Sequence, residues 1–127
     1  MKFELPILEE RFDIKTKEVH SKKTYIDCKL DMSINAQTRW EENFPELSKT
    51  MGVFDYVDKF KNIKITDVAT LGIALKLLYC FIDIDVTYKD FISMFSGENE
   101  EYFNELWTTI KSVLEFVIER NNSKKKY

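Results

Sequence analysis

Histidine occurs once in this chain of 127 residues, glycine three times, and proline and cysteine twice each. Each scarcity excludes something. A nucleophile–histidine site would have to use His20, which sits in the most charged segment with nothing to orient it. Cys28 lies a little further along, but an exposed loop histidine is the simpler reading. A zinc site needs four ligands in short paired spacings, and Cys28 and Cys80 stand too far apart to begin one. Gly52, Gly72 and Gly97 are too dispersed for a phosphate-binding loop. So few turn residues favour long elements, and helices over a many-stranded sandwich.

Two kinds of run are also missing. The longest apolar stretch, near Val68–Ile84, is interrupted by Lys76 and Asp83 and is too short and too charged for a bilayer. The start, Met-Lys-Phe-Glu-Leu-Pro, lacks the apolar run of a signal peptide. The expectation is therefore a cytoplasmic protein with reduced, buried thiols at Cys28 and Cys80. Basic excess is absent too: 19 Lys and Arg face 22 Asp and Glu, a net charge of −3. A nucleic-acid binder ordinarily presents a basic face, so that class is disfavoured.

What the chain does hold is 44% hydrophobic and 14% aromatic residues. That is enough for one core, and the expected fold is mainly α. It is a single helical domain over 1–120, of about five helices with a short N-terminal pair of β-strands. Residues 1–32 form the strand-rich part and 33–120 the helical core. Phe3, Leu5 and Ile7 alternate with polar residues and with Pro6, which suits an edge strand; Ile26, Cys28, Leu30 and Met32 alternate likewise. The charged stretch Glu9 to Lys23 between them is expected to loop out.

Ser33 is a good N-cap for a helix that Pro45 must stop. Trp40 and Phe44, four apart, stack on one face of it. These three residues, Trp40, Phe44 and Pro45, are the expected structural anchors. A short helix fits Gly52–Phe60. Thr66 can cap a third helix to about Ile82, apolar nearly all round and hence central to the fold or buried in an oligomer. Thr87 with Asp90 starts a fourth, ended by Ser96-Gly97. The last runs from about Asn99 to Arg120, with Phe103, Leu106, Trp107, Ile110, Val113, Leu114 and Val117 at helical spacing. Residues 121–127 read as a disordered basic tail.

The carboxylates do not form a convincing metal set. Asp83 and Asp85 bracket Ile84 and read as keeping a turn in water; Glu98, Glu100 and Glu101 read as first-turn charges suited to a helix dipole. No metal and no cofactor are expected. Five apolar helix faces in so short a chain are more than one core easily hides, which points to self-association or a hydrophobic client.

Two pieces of sequence carry a resemblance. Leu30-Asp31-Met32-Ser33 enters Arg39-Trp40-Glu41-Glu42-Asn43-Phe44-Pro45, and Leu75-Lys76-Leu77-Leu78-Tyr79-Cys80-Phe81-Ile82 follows. With Phe91-Ile92-Ser93-Met94-Phe95 and the long last helix, the order resembles the tail assembly chaperones of long-tailed phages of Gram-positive bacteria. The likeness covers about residues 25–120. It implies a non-enzymatic protein of the host cytoplasm, absent from the mature virion. Such a protein shields the tape measure protein and helps recruit tail tube subunits, here as an expected homo-oligomer without nucleic acid or membrane. A longer product by frameshift would fit slippery codons at Lys124-Lys125-Lys126. The expected contact residues are Leu75, Leu78 and Phe81 on the central helix and Phe103 and Trp107 on the last.

Two other readings compete. One is a structural head–tail connector. The other is a small helix-turn-helix regulator, with Lys59, Lys61 and Lys64 as its support and an overly apolar following helix against it.

Overall fold

A computed structural model describes residues 2–60, 68–95 and 100–125. Strand β1, Lys2–Asp13, pairs antiparallel with β2, Glu18–Leu30, without interruption from Lys2↔Lys29 to Asp13↔Glu18. The turn between them is tight. The Asp13 carboxylate accepts from the Lys15 and Thr16 amides at 2.9 and 3.4 Å, and the Lys17 amide donates to the Asp13 carbonyl at 2.8 Å. Lys17 closes the turn in the left-handed region, φ 59°, a conformation that is uncommon for a residue with a side chain. A third strand, β3, Ile82–Asp83, pairs with Lys29 and Leu30, giving the order β1-β2-β3 among the described residues.

This corrects the expected fold class. The fold is mixed α and β, not mainly α with a short strand pair. The stretch Glu9–Lys23 is not a loop but the far half of a long ribbon. The reason lies in the register. Apolar residues occupy odd positions of β1 at Phe3, Leu5 and Ile7, then even positions at Leu8 and Phe12. In β2 they occupy even positions at Ile26 and Cys28, then odd ones at Tyr25 and Val19. Both strands change phase at the same level, near Pro6↔Tyr25 and Ile7↔Thr24. One ribbon therefore presents its apolar side on one face at the root and on the other face at the tip. A search for unbroken alternation stops at that switch.

Among the described residues, six helices follow or flank the sheet. They are α1 (Ile34–Asn43), α2 (Pro45–Ser48), α3 (Val53–Lys59), α4 (Val68–Cys80), α5 (Tyr88–Ser93) and α6 (Glu100–Lys125). Ser33 caps α1 by accepting from the Asn35 amide at 3.2 Å, and Thr87 caps α5 by accepting from Asp90 at 3.1 Å. Pro45 both stops α1 and opens α2 at its first position, where the missing N–H costs nothing. The Gly52 amide precedes α3, and the Gln37 side chain of α1 accepts from the Val53 amide at 2.8 Å. A Cβ on Gly52 would lie 3.1 Å from that same Gln37 oxygen, so glycine is what allows the approach.

α4 is wrapped by α1, α3, α5 and α6. Its apolar circumference is used inside one monomer, and no residue from Thr70 to Ile82 is exposed. α6 has 26 residues, about 39 Å at 1.5 Å per residue. It runs past Arg120 to Lys125, so the expected disordered tail is helical at least that far. Asn121 is buried there, and its amide donates to the Phe54 carbonyl at 3.1 Å, which fixes the end of α6 to α3. The expected cap Thr66, the stop at Ser96-Gly97, the start at Asn99, and Lys61, Lys64, Glu98 and Lys126 lie outside the described residues.

Candidate interaction surface

The block Arg39–Pro45 holds the body together. Trp40 is fully buried, and its indole N–H donates to the Met51 carbonyl at 3.0 Å. Its ring lies 5.7 Å from Phe44 and 5.1 Å from Tyr56. Phe44 meets Tyr88 edge-on at 4.8 Å, and Tyr88 continues through Tyr79 to Phe91. Such tilted aromatic contacts each add about 0.5–1.5 kcal/mol beyond area burial.

Arg39 joins three elements. One guanidinium nitrogen donates to the Cys80 carbonyl at the end of α4, at 2.7 Å, and another to Asp31 at 2.9 Å. Asp31 also accepts from the Ser33 amide at 2.9 Å, and its own amide donates to the Phe81 carbonyl at 2.7 Å. Burial pushes the Asp31 carboxyl up; the hydrogen bonds from Ser33 and Arg39 outweigh it and bring the carboxyl down to about 2.

The residues that could do covalent chemistry are not arranged for it. Burial pushes the Cys28 thiol up to about 11 and the Cys80 thiol up to about 12, so neither is a thiolate at neutral pH. His20 is exposed and lies 3.9 Å from Glu18 on the ribbon. No cluster of metal-ligating side chains exists among the described residues. A shallow hollow at the ribbon root is lined by Lys2, Glu4, Asp27, Lys29 and Asp83. Its charges are of both signs, two lysines facing three carboxylates.

Three of the five expected contact residues are core. Leu75 is 7% exposed, and Leu78 and Phe81 are 0% exposed. Phe81 packs edge-on against Phe54 at 5.4 Å. An all-round apolar helix in this chain signals a central element rather than a spare face. Phe103 and Trp107 are half-buried against the core on one flank of α6. The ribbon attaches to α6 at Tyr102 and Glu105.

That attachment is confined to the ribbon root. The Tyr102 hydroxyl donates to the Pro6 carbonyl at 2.8 Å. Burial pushes this hydroxyl up to about 12, against a lowering hydrogen bond to the Leu8 backbone. Pro6 has no N–H to offer the ladder, so its carbonyl faces the outer edge of β1, and the tyrosine covers that edge. Glu105 accepts from the Tyr25 hydroxyl at 2.7 Å and from Lys23 at 2.5 Å. Those two hydrogen bonds, Lys23 first, hold its carboxyl below the ordinary range.

Beyond the root the ribbon projects into solvent, and every residue from Ile14 to Lys22 is exposed. Phe12 is 62%, Ile14 82% and Val19 62% exposed. Phe12 and Val19 are cross-strand partners, so they form one apolar patch on one face, with Ile14 at the turn above it. Sequence reasoning missed these three residues. Their signal was a β-branched or aromatic residue at intervals through a charged stretch, as in Arg11-Phe12-Asp13-Ile14-Lys15. Isolated exposed apolar residues are ordinary; a paired cluster at the end of a projecting element is a candidate contact surface.

No helix among the described residues is long and apolar enough to cross a membrane. Comparison of the chain with known protein families, curated proteins and solved structures finds no match.

Proposed function

We propose that this chain is a non-enzymatic binding protein that works through its ribbon. In the fuller form of the reading it is a tail assembly chaperone of a long-tailed phage or prophage. It shields the tape measure protein in the host cytoplasm, helps recruit tail tube subunits, and is left out of the finished virion. The observation that carries the binding role is the free ribbon end with Phe12, Ile14 and Val19 in water. The resemblance around Arg39–Pro45 supports the phage role; Trp40 and Phe44 of that block are buried.

A client that is long, helical and prone to aggregate needs reversible cover for its apolar stripes. A two-stranded ribbon with an apolar patch at its free end can lie against such a stripe and release it, because its body fold does not depend on the contact. The test is co-expression of the chain with the long coiled-coil-like protein encoded beside it. The expected outcome is a soluble complex that Phe12→Ser/Val19→Ser weakens. A client equally insoluble with and without the chain, or the chain recovered in stoichiometric amount from purified virions, removes the chaperone reading.

A further inference from the structure

We infer that the outer edge of β2, from Val19 to Tyr25, receives an extended segment of another protein as an added strand. This surface differs from the apolar tip, since an edge offers backbone groups and a face offers side chains. The direction of those groups follows from one side chain. The Tyr102 hydroxyl donates to the Pro6 carbonyl at 2.8 Å and accepts from the Leu8 backbone. Pro6 and Leu8 therefore turn their backbone groups out of the ladder, and so do their partners Tyr25 and Lys23. The register is unbroken, so Ser21 and Val19 follow by alternation. The root keeps the same phase: the Asp31 amide donates to the Phe81 carbonyl at 2.7 Å, and Lys29 pairs with Asp83.

Val19, Ser21, Lys23 and Tyr25 thus aim their N–H and C=O groups away from β1. Among the described residues β3 uses this edge only at Lys29 and Leu30. A row of donors and acceptors at strand spacing is complementary to an extended backbone. The edge of β1 is closed by contrast, since Tyr102 covers it at Pro6 and Leu8. Residue chemistry then selects the occupant. Lys22 is exposed at the centre of the stretch, and none of the ion pairs among the described residues uses it. A second copy laid antiparallel over the whole stretch sets Lys22 directly opposite Lys22, and like charges so placed destabilise a pair. Lysine on an edge guards a sheet against its own kind. A foreign segment with a carboxylate at that place reverses the sign. In line with β3 it runs antiparallel to β2, with the carboxylate opposite Lys22 and an apolar residue beside Val19.

The test uses the full chain and a blocked heptapeptide, Val-Thr-Thr-Glu-Val-Thr-Val, followed by NMR of the backbone amides. Binding on the order of 1 mM should shift the Val19, Ser21, Lys23 and Tyr25 amides. Those of His20, Lys22 and Thr24 already face β1 and should move little. N-methylation of the peptide's third residue, whose N–H faces β2, should weaken binding at least about tenfold, as loss of a hydrogen bond does. N-methylation of its fourth, whose N–H faces water, should not. Replacing the peptide's glutamate by lysine should weaken binding about threefold, and Lys22→Glu in the chain should restore it. Edge amides that stay put at the peptide's solubility limit overturn the inference. So do equal effects of the two N-methylations, or a charge swap that fails to rescue. Concentration-dependent protection of the same amides in the chain alone also overturns it, by giving the edge to a second copy. Client capture by the apolar tip is read separately, by co-expression with Phe12→Ser/Val19→Ser.

Discussion

The two halves of the ribbon use one backbone pattern to opposite ends. At the root, Leu5 and Cys28 face inward and are buried, while α6 covers the outer edge of β1 at Pro6. At the tip, Phe12 and Val19 face each other across the same ladder and remain 62% exposed. Residue type does not separate them, since both halves hold apolar pairs flanked by charge. What separates them is whether a helix lies against the face. Apolar pairs that meet α6 and the core become structure; apolar pairs that meet nothing are available to bind. Burial and exposure are thus divided along the length of one element.

The largest effect that would break this division belongs to the body. Trp40→Ala removes a fully buried indole and its bond to Met51, and about 3–5 kcal/mol of stability should go with it. Urea unfolding reads this directly. An intact fold with loss only of binding would move Trp40 to the working surface.

Next is the join between the two halves. Tyr102→Phe leaves the Pro6 carbonyl without its donor in a buried place, which should cost about 1–3 kcal/mol. Amide exchange should quicken first in the root of β1, while the tip, already in water, should not change.

Smaller still is the acid dependence. The Asp31 carboxyl lies at about 2 in the fold, below the ordinary 3.8. A depressed carboxyl contributes stability that is complete above about pH 4 and is lost as pH falls through about 2. A pH series of unfolding midpoints should show that loss, and Asp31→Asn should flatten it while lowering stability at neutral pH. An unaltered slope in the variant would assign the acid response elsewhere.

The least effect on stability belongs to the tip. Phe12→Ser/Val19→Ser should shift the unfolding free energy by no more than about 0.5 kcal/mol per site. A large loss there would erase the distinction between root and tip.

Local chemistry made much of the body legible. Ser33 and Thr87 cap where a side-chain oxygen should, Pro45 turns the chain, and the spacing from Leu106 to Val117 forms the inner stripe of α6. Those signals act over a few residues. β3 was not legible, because a two-residue strand is defined by Lys29 and Leu30 across the sheet and not by Ile82–Asp83 themselves. The far ribbon was hidden by its change of phase, which only the pairing of two strands explains. Of the candidate site, Phe103 and Trp107 lie half-buried on α6, while Leu75, Leu78 and Phe81 are core, a division the sequence left open. An apolar helix looks the same in sequence whether its neighbours come from the same chain or another. Phe12, Ile14 and Val19 were passed over for the same reason in reverse.

The bond between Tyr102 and Pro6 spans 96 positions of sequence, and this sets an order of events at the ribosome. The hairpin precedes α6 along the chain and closes on the microsecond scale typical of local pairing. Its root can be covered only when α6 has emerged. Until then Leu5, Ile26 and Cys28 are as open to neighbours as Phe12 and Val19 remain afterwards. The newborn chain is therefore adhesive at both ends of the ribbon, and folding consists in part of retiring one of them.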